Sequence, residues 1–169
     1  MDWMHFIESW FWFGFAALGF AILFNVPKRT LTAIFMMGGF GGLVKLLFLE
    51  WNNGVILGTL IASIFVGFVS IAAAHSKHSP PFVFAIPAVI PMVPGSFAYY
   101  TMKGIIKLAY NQTPEDFLPL LNETVTNGFK TMFILLAIAV GVFAPMLLTA
   151  RESAKQIKIP LFSHDKNQG

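Results

Sequence analysis

Five stretches of this chain stay apolar for close to the 20 or so residues that a helix needs to cross the hydrocarbon core of a bilayer. They run from Phe6 to Phe24, Leu31 to Leu49, Gly54 to Ala74, Phe82 to about Met102, and Gly128 to Thr149. Charged residues are largely confined to the connections. The pattern predicts an all-α, polytopic membrane helix bundle of about five transmembrane helices over residues 1–149. A polar cytoplasmic tail, partly disordered, is expected over 150–169. Asp2 and Glu8 stand where a signal peptide would need positive charge, so the first run reads as a retained helix. In the connection before the fifth run, Thr113-Pro114-Glu115-Asp116 has the chemistry of a helix start. Phe117, Leu118, Leu121 and Val125 then mark one apolar face of a short outer amphipathic helix near 114–126.

The fourth run departs from the others. Pro87, Pro91 and Pro94-Gly95 interrupt it. Each proline removes a backbone donor and crowds the carbonyl four residues back, so a straight helix through all three is excluded. At membrane depth, freed backbone groups are tolerated only against protein or a watery cavity. Two forms are open: a kinked span, or two half-helices. If a half-helix begins near Pro94-Gly95, the amides of Ser96, Phe97 and Ala98 lack intrahelical partners and favour an anion such as a carboxylate. The Ser96, Tyr99 and Tyr100 hydroxyls, and Lys103 and Lys107 beyond them, could add to that site.

The loops give an orientation. Lys28 and Arg29 follow the first run, Lys77 the third, and Arg151, Lys155 and Lys158 the fifth, while Glu50 follows the second. The positive-inside rule then predicts an outer N-terminus and a cytoplasmic C-terminus, with Trp3 and Trp51 at the outer interface. Composition agrees with a membrane protein. Only 11% of the 169 residues are charged and 56% are hydrophobic, against about 25% charged in soluble domains. Mean hydropathy is +0.71. The net charge of +3 is spread between the apolar runs, which argues against nucleic-acid binding. The chain has no cysteine, so disulfides and thiolate chemistry are excluded. Its four histidines lack metal-ligand spacing. No nucleophile–base pair, paired carboxylate or phosphate loop is present, so neither an enzyme, a metal site nor a cofactor is expected.

Small residues recur at helical spacing. Gly54, Gly58 and Ala62 form one stripe of the third run, and Ser63, Gly67, Ser70 and Ala74 another; Ala137 and Gly141 continue the habit in the fifth. Such stripes let helices approach closely, so the third helix should be contacted on two sides, by neighbouring helices or another subunit. Lys45 is the one basic residue within the second run. Gly38, Gly41 and Gly42 share its face, as residues three, four and seven apart do on a helix. It either faces a polar interior beside that glycine face or snorkels to the headgroups. Asn25 and Asn127, at the edges of the first and fifth runs, fit helix caps, and Asn127 is also a candidate ligand.

Taken together, Gly19-Phe-Ala-Ile-Leu-Phe-Asn-Val-Pro27 with Arg29, Ala62-Ser63, Val66-Gly67 and Ile90-Pro-Met-Val-Pro-Gly95 with Tyr99 resemble the threonine/serine exporter (ThrE) family. The similarity is to its C-terminal-type half, the small-subunit form, and continues through Thr126-Asn127, Gly141 and Pro145. The resemblance implies a multi-pass protein of the bacterial inner membrane. It also implies export of small carboxylate metabolites, threonine and serine or a dicarboxylate such as succinate, driven by the proton gradient. A larger partner subunit or a homo-oligomer would complete the pathway. The family motifs fall on Pro91, Pro94, Gly95 and Tyr99, and a basic residue after a glycine-rich stretch falls on Lys45. Gly42 stands where some relatives have histidine. The expected substrate-binding set is therefore Lys45, Pro91, Pro94, Gly95, Ser96, Tyr99 and Asn127, with membrane lipid as the surrounding partner. The rival reading is a non-transporting scaffold or regulatory subunit that stabilises a larger transporter partner.

Overall fold

A computed structural model describes residues 3–51, 54–110 and 114–155. The described residues form six α-helices and two short 3-10 turns, with no strand. The helices are α1 (Trp3–Leu23), α2 (Leu31–Glu50), α3 (Gly54–Lys77), α4 (Phe82–Val89), α5 (Gly95–Tyr110) and α6 (Pro114–Lys155). α1, α2, α3 and α6 are each long and apolar enough to cross a membrane. α4, its following 3-10 turn (Ile90–Met92) and α5 form an apolar pair bent by 56°, so the bundle has four such helices, or five spans when the bent pair is taken as one. The protein is thus an all-α polytopic bundle.

The small residues explain who packs on whom. A Cβ at Gly38 would strike Ala17 of α1, and one at Gly42 would overlap the Phe13 ring. α1 and α2 therefore approach at a distance that only glycine permits, and no side chain at position 42, histidine included, fits without moving Phe13. Gly58 of α3 faces the Lys45 carbonyl and Phe48 of α2. On another side of α3, Gly67 faces the Gly141 and Val142 carbonyls and Pro145 of α6, and Gly141 faces Ser63. The Ser63 hydroxyl also donates to the Ala137 carbonyl of α6, 3.2 Å away. The expectation that α3 is contacted on two sides holds, with α2 and α6 as the contacts. Because 63 pairs with 137 and 141, and 67 with 141, 142 and 145, α3 and α6 run parallel.

α1 ends in a hydrogen-bond pattern that satisfies its last carbonyls. Asn25, at φ 53°, donates its amide to the Ile22 carbonyl, and Val26 donates to Ala21. This is the left-handed cap that glycine or asparagine supplies at a helix C-terminus, so Asn25 is a cap. α3 closes similarly, with His78 at φ 51° and the Ser79 amide on the Ala74 carbonyl.

Two local expectations change. The sequence pattern separates an outer helix near 114–126 from a span beginning at Gly128, yet the structure runs both as one helix of 42 residues. At 1.5 Å per residue that is about 63 Å, twice the hydrocarbon thickness. Lys130 lies beside Gly54–Leu57, the first turn of α3, so the residues of α6 before it project beyond α3. α5 accompanies them: Thr101 meets Gly128, and Gly104 is seated on Thr124. This flanking contact holds the first part of α6 helical despite Pro119. Asn127 consequently lies inside a helix, which removes the capping role the sequence assigned to it. The Thr113 cap and the tail from 156 onward lie outside the described residues.

Candidate functional site

The broken span divides into two unlike halves. In α4 and its 3-10 turn, Phe84, Ala85, Pro87, Ala88, Val89 and Met92 are buried, among α1, α2 and α3. The chain then turns at Val93, which is extended at φ −59°, ψ 136°. α5 starts at Gly95 and buries only Gly104, against α6.

The backbone at the turn can be accounted for group by group. A helix start ordinarily leaves its first four amides without partners. Pro94 has no amide; its carbonyl accepts from the Ala98 amide at 3.1 Å. The Gly95 amide turns back onto the Val93 carbonyl at 2.9 Å. The Ser96 and Phe97 amides remain, at the first turn of α5. The sequence reading counted Ala98 among the free donors, and the Pro94 carbonyl corrects that. A Cβ at Gly95 would meet nothing within 4 Å, and Ser96 and Tyr99 are exposed. The start of α5 therefore opens outward.

On the other side of the turn, the Met92 carbonyl would accept from Ser96 in an unbroken helix. Instead it accepts a hydrogen bond from Lys45 Nζ at 3.0 Å. Lys45 is half-buried, and its amine can donate three hydrogen bonds, of which this is one. The lysine reaches inward to the interruption, which decides between the two orientations left open by the sequence. It gets there because side chains on a helix lean toward its N-terminus, and Gly41 lies one turn back on the same face. A Cβ at Gly41 would collide with Met92 Cε and Val66 Cγ2, so glycine lets Met92 seat fully buried between α2 and α3.

Lys45, Pro91, Pro94 and Gly95 are thus assembled around one turn, with Ser96 just beyond it. Tyr99 is 62% exposed and packs edge-on against Tyr100 at 5.6 Å, facing away from the bundle core. Asn127, half-buried on α6, has no hydrogen bond to Lys45 or the turn among the described residues. Lys103 and Lys107 lie further along α5, in a hollow of about 100 Å³ with Glu123 and Thr124, not at the turn. The residue that sequence reasoning missed is Met92, which contributes a carbonyl and a buried side chain. Its identity carries no chemical signal; the signal lay in its place between Pro91 and Pro94.

A helical membrane bundle with one apolar helix pair broken by prolines, and a lysine turned toward the break, defines a class: polytopic membrane proteins with a discontinuous helix, an architecture that many secondary transporters share. The chain belongs to the family described as "Threonine/Serine exporter, ThrE", whose sequence profile matches residues 9–148. It is 30% identical over 136 residues to an uncharacterized protein of Haemophilus influenzae (strain Rd), a match covering 80% of this chain and 45% of the relative. The match therefore spans less than half the length of that relative. No solved structure matches it.

Proposed function

We propose that this chain is one subunit of a secondary exporter of small carboxylate metabolites, threonine and serine or a dicarboxylate such as succinate, across the bacterial inner membrane. Its termini would lie outside (N) and in the cytoplasm (C), in keeping with the basic loops described above. The observation that carries the reading is the hydrogen bond between Lys45 and the Met92 carbonyl at the interrupted span. A substrate carboxylate arriving at the turn would meet the two remaining donor positions of the Lys45 amine and the Ser96 and Phe97 amides of α5. Membership of the exporter family supports the class of activity. Coverage of less than half of the relative supports a larger partner subunit, or a homo-oligomer, as the source of the remaining wall of the pathway. Rocking of this chain against the partner half would alternate access.

Liposome efflux tests this. The chain is reconstituted with its larger partner and loaded in turn with labelled threonine, serine and succinate. Lys45→Met should abolish efflux of the transported species while membrane insertion stays unchanged. Normal efflux by that variant overturns the role of Lys45. If Lys45→Met and Pro94→Ala both transport normally, but omission of the chain destabilises the partner, the scaffold reading replaces the exporter one.

A further inference from the structure

The α1–α2 and α3–α4 connections, which meet at one end of the bundle, carry basic residues and no acidic one. Lys28 and Arg29 lie in the first connection, and Lys77 lies at the end of α3, with no acidic residue over 24–30 or 75–82. The two connections are tied together: Arg29 Nη2 donates to Ser79 Oγ at 3.2 Å. Immediately beside this tie, the residues before Arg29 and after Ser79 form the walls of an apolar groove of about 360 Å³. Phe24 and Val26 stand on one side, and Phe82, Val83, Ile86 and Pro87 on the other. Pro87 is buried, while Phe24, Phe82 and Ile86 are 49%, 41% and 46% exposed, so the groove opens to the side of the bundle.

A groove that is apolar along its walls and cationic at one lip matches the two parts of a phospholipid. The guanidinium carries five N–H donors in a planar fork. One is engaged by Ser79; among the described residues the others have no partner and can donate to phosphate oxygens as charge-assisted hydrogen bonds. Lys28 is exposed beside it. Basic pockets of this kind between transmembrane helices favour anionic headgroups, and the cytoplasmic leaflet supplies them. We propose that this groove holds an anionic phospholipid, its phosphate on Arg29 and Lys28 and one acyl chain against Phe24, Val26, Phe82 and Ile86. The site tethers the α1–α2 and α3–α4 connections across their shared lip. It rests on the orientation proposed above, which puts these connections on the cytoplasmic side, and does not depend on the exporter reading.

The test uses the full chain in nanodiscs containing equal phosphatidylglycerol and phosphatidylcholine. Retained lipid is counted by native mass spectrometry after transfer to mild detergent, and thermal stability is followed in parallel. Wild-type protein should retain phosphatidylglycerol over phosphatidylcholine by about tenfold or more, the scale set by two cationic side chains at a headgroup. Lys28→Gln/Arg29→Gln should abolish that preference, whereas Lys103→Gln/Lys107→Gln on α5 should leave it intact. Ile86→Trp, which fills the groove at a half-exposed position without touching the charges, should lower the retained phosphatidylglycerol several-fold. Equal retention of both lipids by wild type overturns the proposal. So does an unchanged preference in both the Lys28/Arg29 double variant and Ile86→Trp, or a second protein chain occupying the groove in place of lipid.

Discussion

The two halves of the interrupted pair differ in sequence and in fate: α4 is apolar throughout, whereas α5 carries Ser96, Thr101, Lys103 and Lys107 among its apolar residues. α4 with its 3-10 turn is a wedge whose buried residues are clamped by α1, α2 and α3. α5 is an arm that touches α6 and shows Tyr99, Tyr100, Met102, Ile105, Ile106 and Tyr110 at half exposure or more. In a bilayer, lipid tails offer as much apolar contact as a leucine face does. Hydrophobicity alone therefore does not decide which half is core. Small residues and shape decide it: Gly41 leaves room for Met92, while on α5 it is Gly104 that lets a neighbour close in. The prolines free one half to be held and the other to stand away, and Lys45 marks the seam.

The comparison breaks most easily in the wedge. Phe84 is fully buried, so Phe84→Ala should cost about 3 kcal/mol of stability. That is the low end for a phenylalanine truncation, since the transfer contribution is small in lipid and the cavity term remains. Ile106→Ala on the arm should cost under about 0.5 kcal/mol. Steric-trapping or thermal unfolding of both variants in bicelles reads the difference, and equal costs would dissolve the distinction between wedge and arm. Gly67→Leu should come next, at about 1–3 kcal/mol, through overpacking against the Gly141 and Val142 carbonyls of α6. Lys45→Met leaves the Met92 carbonyl without its donor and should cost about 1–3 kcal/mol. Lys45→Arg, which keeps a donor, should cost less. Gly104→Ala should have the smallest effect on the bundle. Its methyl group would collide with Thr124, so spin labels on α5 and the first turns of α6 should move apart while the melting temperature shifts little.

Much of this architecture was legible from residue order. The apolar runs located the spans, and the stripes through Gly58 and Gly67 identified α3 as the helix with two packed sides. Asn25 read correctly as a cap because a local signal, an asparagine just past an apolar run, has a local cause. Asn127 gave the same signal and meant something else. There the helix continues because α5 packs along it through Thr101 and Gly104, a tertiary contact that no window of sequence contains. The candidate site was half legible. Proline spacing located the interruption, and the glycine face pointed Lys45 at protein. Its partner is a main-chain carbonyl, a group every residue has, so only the fold could select Met92.

The account turns on the bond across the seam. Solid-state NMR in lipid bilayers, with Lys45 labelled at 15Nζ and Met92 at its 13C carbonyl, measures it directly. A 15N–13C dipolar coupling that fits a nitrogen–carbon separation of up to about 4.2 Å, one C=O bond beyond the 3.0 Å Nζ–oxygen contact, together with a Ser96 amide not bonded to Met92, is the predicted result. Absence of that coupling, with the Ser96 amide bonded to the Met92 carbonyl as in a continuous helix, would contradict it.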